Sequence, residues 1–132
     1  MPGTGRTLGG ATSQDCGESP SIIYVAATVT QAFFIATIPT IIAGIVLRIR
    51  VGSTSGTAQI FKAPSGTAIG SGTAITASID LSATPPADTA INVPLVSGPG
   101  LLLQPGDSIG VVIGGTMTNG VGIIQAFVEP AY

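Results

Sequence analysis

The sequence predicts an all-β fold, an antiparallel β-sandwich, on three observations. The first is strict apolar/polar alternation in Ile75-Thr76-Ala77-Ser78-Ile79-Asp80-Leu81 and in Leu47-Arg48-Ile49-Arg50-Val51, repeated more briefly in Ser108-Ile109-Gly110-Val111. A period of two belongs to a strand with one buried and one open face. The second is punctuation: 19 glycines and 10 prolines gather into short turns between β-branched runs. The third is the lack of any convincing helical period along the chain.

Taken in order, residues 1–20 are polar and Gly-rich and contain nothing that can build a core. They are expected to be an extended N-terminal arm, held by a neighbouring molecule or strapped along its own domain. Residues 21–132 are expected to form one domain. Its strands are expected at residues 22–29, 31–38 and 41–51, rich in Val, Ile, Phe, Tyr and Thr, the types that suit a pleated surface. Gly52-Ser53-Thr54-Ser55-Gly56 turns into a strand over 57–63. Pro64-Ser65-Gly66 and Gly70-Ser71-Gly72 lead to the alternating strand 73–81. Adjacent prolines at 85 and 86 remove two ladder donors and force a loop. Further strands follow at 90–96, 101–103, 108–113 and 121–129, with Asn119-Gly120 a hairpin signal. Eight to nine short strands with turns roughly every 8–12 residues point to a sandwich, and a jelly roll is the specific expectation. Ile41–Val46 and Val121–Val128 are apolar on both faces, which fits strands covered by a second sheet on one side and a neighbour on the other.

The stretch from Ser21 to Leu47 carries no charge and exceeds the ~20 residues of a membrane-spanning helix, with Arg48 and Arg50 as a plausible flank. Thr28, Thr30, Gln31, Thr37 and Thr40 interrupt it, and Pro39 falls where a helix would lose a hydrogen bond. Alternation also runs unbroken from Leu47 into Arg48-Ile49-Arg50. Strands are therefore expected here and no membrane span. No signal peptide is expected either, because no basic start precedes the apolar part.

Composition narrows the function. Only 8% of residues are charged, against 45% apolar, too little charge to keep a lone monomer soluble. Much of the surface is expected to be covered by copies of this chain or by a larger assembly. Four basic and six acidic side chains, net −2, offer no footprint for nucleic acid. The chain has no histidine and no tryptophan, and Cys16 is its one cysteine. That removes the commonest general base and metal ligand, and any intrachain disulfide. The six acids are scattered singly, with Asp15 and Glu18 the one close pair; convergence of Asp80, Asp88 and Asp107 at one end is the remaining route to a metal. Asp107 has a simpler role after Pro105-Gly106, capping the turn's own amides. Gly66–Thr73 superficially resembles a phosphate loop but lacks its lysine and leads into a strand. Lys62 is expected to be a solvated strand residue. No enzyme activity, cofactor or metal is expected.

Arg48 and Arg50 lie about 7 Å apart on one strand face. They either grip a carboxylate-bearing partner or guard an edge against aggregation. Arg6 and Leu8 in the arm, Arg48 and Arg50, and Tyr132 beside Pro130 are the candidate contacts with a capsid or a sister subunit.

Two segments carry a resemblance: residues 57–74, Thr57-Ala-Gln-Ile-Phe-Lys-Ala-Pro-Ser-Gly-Thr-Ala-Ile-Gly-Ser-Gly-Thr-Ala, and Leu103-Gln-Pro-Gly-Asp-Ser-Ile-Gly-Val-Val-Ile113. Over residues 40–129 the chain resembles small virion proteins of tailed bacteriophages, including head decoration, or cement, proteins of jelly-roll type. The resemblance implies a homotrimer on the capsid exterior, clamping subunits of the major capsid protein, after synthesis in the host cytoplasm. The alternative is a jelly-roll receptor- or carbohydrate-binding module of a phage fibre or spike. The aromatic residues it would need as a platform lie mostly in apolar runs.

Overall fold

The structure, a computed structural model, describes residues 19–82, 88–96 and 101–131. Ten strands lie in them: β1 (Ser21–Val25), β2 (Val29–Ile35), β3 (Thr40–Val51), β4 (Ser55–Ala63), β5 (Thr73–Ala74), β6 (Ile79–Asp80), β7 (Ala90–Val93), β8 (Leu101–Leu103), β9 (Ser108–Thr116) and β10 (Val121–Pro130), with a 3-10 turn at Ile69–Ser71. The expected N-terminal arm lies outside the described residues except for Ser19 and Pro20. No helix among the described residues is long and apolar enough to cross a membrane, and Ser21–Leu47 runs through three strands.

Two antiparallel sheets form. One has the order β1-β10-β3-β7, with β8 continuing β7 alongside β3; the other has β2-β9-β4-β5, with β6 continuing β5 alongside β4. Counting each split edge once leaves eight strand positions. First pairs with last, second with seventh, third with sixth and fourth with fifth. That is one long hairpin rolled over itself, the jelly roll expected from the sequence.

The central pair β3–β10 sets the phase of the core. Its register runs from Thr40↔Pro130 to Val51↔Val121 and slips at two places, leaving Ala43 and Arg50 without opposite partners. A bulge adds one residue to one strand, so the side-chain phase changes across it. Thr40 and Ile42 point inward before Ala43, and Ile45, Leu47 and Ile49 after it. Ile124, Ala126 and Val128 of β10 complete this side of the core. Ala58, Ile60, Ile109, Val111 and Ile113 face them from the other sheet. Each large aliphatic side chain buried this way stabilises the fold by roughly 1.5–3 kcal/mol.

The alternating segment 73–81 is not one strand. Its register against β4 moves by two residues between Phe61↔Ala74 and Ala58↔Ile79. In the gap the Thr76 hydroxyl accepts from the Ile60 amide at 3.1 Å, and its carbonyl accepts from Gln59 Nε2 at 2.9 Å. Thr76 also bridges to Leu95, while the Val96 amide donates to the Ile75 carbonyl at 2.9 Å. The edges of the two sheets are thereby tied together. Ile75 and Thr76 are both buried, Ala77 and Ser78 both exposed, so the period of two fails at its centre. A hydroxyl standing in for a ladder acceptor lets the strand break at small cost. Asn119, with φ of 63°, does form a turn, but it connects β9 to β10 in the opposite sheet. Asn119-Gly120 is thus a corner of the roll and not a hairpin. Strand β9 also continues through Gly114 and Gly115 to Thr116, beyond the expected end at Ile113, because β4 pairs with it as far as Ser55.

The two outer faces differ. Over β9 the chain from Pro64 to Gly72 folds back, and Ile69 is buried against Gly110. A Cβ on Gly110 would lie 2.6 Å from the Gln31 carbonyl oxygen and 2.7 Å from the Ile69 side chain. Gly110→Ala is therefore expected to cost about 1–3 kcal/mol, read as a lowered denaturant midpoint. On the inner face of the other sheet the Tyr24 ring packs against Gly122 across the β1–β10 ladder. Its hydroxyl is buried with no hydrogen-bond partner among the described residues, and burial raises its pKa above the usual 10.0. The neutral form is favoured in the fold, so this contribution is intact below pH 10 and is lost as pH rises from there through the folded-state value. Tyr24→Phe is expected to keep or raise stability at pH 7 and to flatten the alkaline decline, measured by denaturation at pH 8 and pH 11.

Candidate interaction surface

Most of the ionisable groups among the described residues are occupied locally. Asp80 Oδ1 accepts from the Ser82 amide at 2.8 Å and hydroxyl at 2.6 Å. Asp107 Oδ2 accepts from the Gln104 amide at 2.9 Å, the turn-capping role expected of it, and lies 3.8 Å from Lys62 Nζ. Lys62 keeps 30% of its side chain exposed but is also engaged: pairing with Ile109, an inward residue, turns it towards the mouth of the sandwich, where Nζ donates to the Leu102 carbonyl at 3.3 Å. Asp80 pairs near one end of β4, opposite Thr57, whereas Asp107 precedes Ser108, which pairs with Ala63 at the other end. That separation is about 20 Å of strand, so the acids do not converge. No group of three His, Cys, Asp or Glu among the described residues is placed to hold a metal.

Arg48 and Arg50 are brought together with Asp88. Arg48 Nε lies 3.9 Å from Asp88 Oδ1, and Arg50 Nη1 lies 3.4 Å from Oδ2. Strand β3 is interior, paired on both sides at Arg48, so the edge-guard reading of this pair is corrected. Arg6, Leu8 and Tyr132 lie outside the described residues.

The surface that stands out is the outer face of β1-β10-β3-β7. Alternation on these strands brings Ile23, Ile123, Arg48 and Ala90 into one cross-strand row, and Val25, Val121 and Val51 into the next. A third row holds Ser21, Gln125, Val46 and Asn92, and Phe127 lies opposite Gly44. Ile23 is 68% exposed, Val25 62%, Val51 44% and Phe127 41%. Beside Phe127 a shallow groove of about 460 Å³ runs over Gly44, Val46, Val93 and Pro94. The four strands, of 5, 10, 12 and 4 residues and about 4.8 Å apart, give a face of roughly 500 Å², apolar and polar rows together, smaller than one side of a standard interface at ~800 Å². The exposed apolar rows Ile23–Ile123 and Val25–Val121–Val51, with Phe127, make this face the candidate interaction surface. The doubly apolar strands β3 and β10 announced it in the sequence. Ile23 and Val25 are distinguished only by the register of β1, and the Lys62–Asp107 pairing, across 45 residues of chain, has no sequence signal.

No protein-family model matches the chain, and neither does any curated protein sequence. Among solved structures it is similar to a chain of the cyanophage Pam1 capsid asymmetric unit, with a TM-score of 0.52 and 14% identity over 97% of each chain. At that identity the likeness is one of fold, and it extends the length of both chains.

Asp88→Asn removes an exposed pair of ion contacts and is expected to change stability by less than about 1 kcal/mol, checked by denaturant titration at low and high salt.

Proposed function

We propose that this protein is a structural component of a phage virion: a decoration, or cement, protein that sits as a homotrimer on the exterior of the head and bridges subunits of the major capsid protein. The observation that carries this reading is the uncovered apolar face of β1-β10-β3-β7. The opposite sheet has its own lid at Ile69, whereas this face has none among the described residues, on a chain with too little charge to keep such a surface soluble by itself. Fold likeness to a chain in a phage capsid asymmetric unit supports it. The role needs area and shape complementarity, in keeping with Asp80 and Asp107 spent on turns and Arg48, Arg50, Asp88 and Lys62 on ion pairs. Phe127 is the one exposed aromatic among the described residues. Its groove offers Asn92 as the one side chain able to hydrogen-bond, a setting that favours apolar docking over sugar recognition.

The test is binding to undecorated shells assembled from the cognate major capsid protein. Wild-type chain is expected to co-sediment with shells and raise their disruption temperature. Ile23→Lys and Phe127→Lys, both at exposed positions, are expected to retain the wild-type melting temperature within a few degrees and to lose at least tenfold in shell affinity. Undiminished binding by both variants, or no binding by wild type, overturns the assignment.

A further inference from the structure

Three crossings between the two sheets meet at Gly120. The β9–β10 corner contains it, and its carbonyl accepts from the amide of Ala26, in the β1–β2 connection, at 2.6 Å. A Cβ on it would lie 2.8 Å from Cβ of Ser53, in the β3–β4 connection, and 3.1 Å from Met117 Cε. Ser53 and Met117 are both buried. The residue before it, Asn119, is exposed and held at a φ of 63°. Asn119-Gly120 is the one Asn-Gly pair in the chain; the other asparagine, Asn92, precedes Val93. We propose that Asn119 is a self-modification site: the closed corner keeps it intact, and local opening of the corner converts it irreversibly to aspartyl and isoaspartyl residues.

The chemistry needs this pair of residues and water. Once the Gly120 amide loses its proton to hydroxide, its nitrogen attacks Cγ of Asn119. The N–Cγ bond forms, the Cγ–Nδ2 bond breaks, and Nδ2 takes up a proton and leaves as ammonia. Water then opens the succinimide ring, with no change of oxidation state. Cleavage at Cγ leaves aspartate. Cleavage at the Asn119 carbonyl carbon leaves isoaspartate, whose main chain runs through Cγ and is one carbon longer. Glycine suits the attack because it has no side chain to shield its nitrogen, whereas Val93 shields the nitrogen that follows Asn92. The exposure of Asn119 admits hydroxide and water to Cγ.

In the closed corner that nitrogen is engaged. The Gly120 amide donates to the Met117 carbonyl at 2.9 Å, and the residue is packed between Ser53 and Met117 with no room to swing towards Cγ. A buried, hydrogen-bonded amide gives up its proton through opening. Loss of this proton is the first step of the conversion, so the conversion follows the same opening. Afterwards an isoaspartyl corner is one carbon too long to keep Gly120 both bonded to Ala26 and seated against Ser53, so the closed form does not return.

Mass spectrometry of purified full-length protein at pH 8, with no shells present, tests this independently of the virion reading. The expected result is the mass gain of one amide-to-acid exchange, confined to the peptide holding Asn119 and accumulating at least tenfold faster in chain unfolded by guanidinium chloride than in folded chain. Met117→Ala leaves a void beside Gly120 and is expected to speed conversion of the folded protein at least fivefold. Ile69→Ala leaves its void against Gly110, six residues before the end of β9, and is expected to stay within twofold of wild type. Hydrogen exchange on the wild type reads the same opening without a variant: the Gly120 amide is expected to be at least tenfold less protected than the core amides of Ile60 and Ile124. Equal conversion in folded and unfolded chain, or none in unfolded chain, overturns the proposal. Equal acceleration by both variants, or equal protection of the three amides, makes global unfolding the gate and overturns it too.

Discussion

The β3–β10 ladder is the constraint on which the rest of the molecule depends. These two strands lie at the centre of one sheet, and every inward side chain on that side of the core takes its orientation from their register. Without the bulge at Ala43, a single period of two would run through β3. Either Thr40 and Ile42 or Ile45, Leu47 and Ile49 would then face outward, and a one-residue slip exchanges the whole set. With it, both groups are buried. The same accommodation places Val46 and Arg48 on the outer face, so the core and the interaction surface are set by one feature.

The second consequence is an asymmetry between the faces. The sheet centred on β9 and β4 spends the segment from Pro64 to Gly72 on covering itself, and Gly110 makes room for Ile69. The sheet centred on β10 and β3 has no such segment in the described residues, and its outer face sets Ile23, Val25, Val51 and Phe127 among Ser21, Gln125, Asn92 and Arg48. Among the described residues, one face is covered by the chain itself and the other is open. The few charges follow the same division: Arg48, Arg50 and Asp88 pair on the open face, while Lys62, paired with Asp107, reaches across the mouth to the Leu102 carbonyl of the other sheet.

How much of this was legible beforehand depends on whether a feature is local. Alternation in 47–51 and 108–111, the Pro-Gly-Asp turn capped by Asp107, and the doubly apolar runs in β3 and β10 are all encoded within a few residues. The segment 73–81 looked like the clearest strand of all and is broken at its middle, because the Thr76 hydroxyl finds the Ile60 amide and its backbone finds Leu95. Neither partner is near it in sequence. Asn119-Gly120 encodes a turn, but the choice between a hairpin and a corner belongs to the sheets it connects.

The sequence by itself determined that this is a β-sandwich with strands in nearly their observed places, without the residues for common acid–base chemistry and with more apolar surface than one domain can hide. Strand alternation, turn chemistry and composition are properties of short windows, and short windows suffice to read them. Only the tertiary structure decided which strands are neighbours, where the bulges reset the phase, and therefore which of two apolar faces on β3 and β10 is buried. That choice is a matter of register between segments some 80 residues apart, and its energy comes from the packed core as a whole and from no single residue.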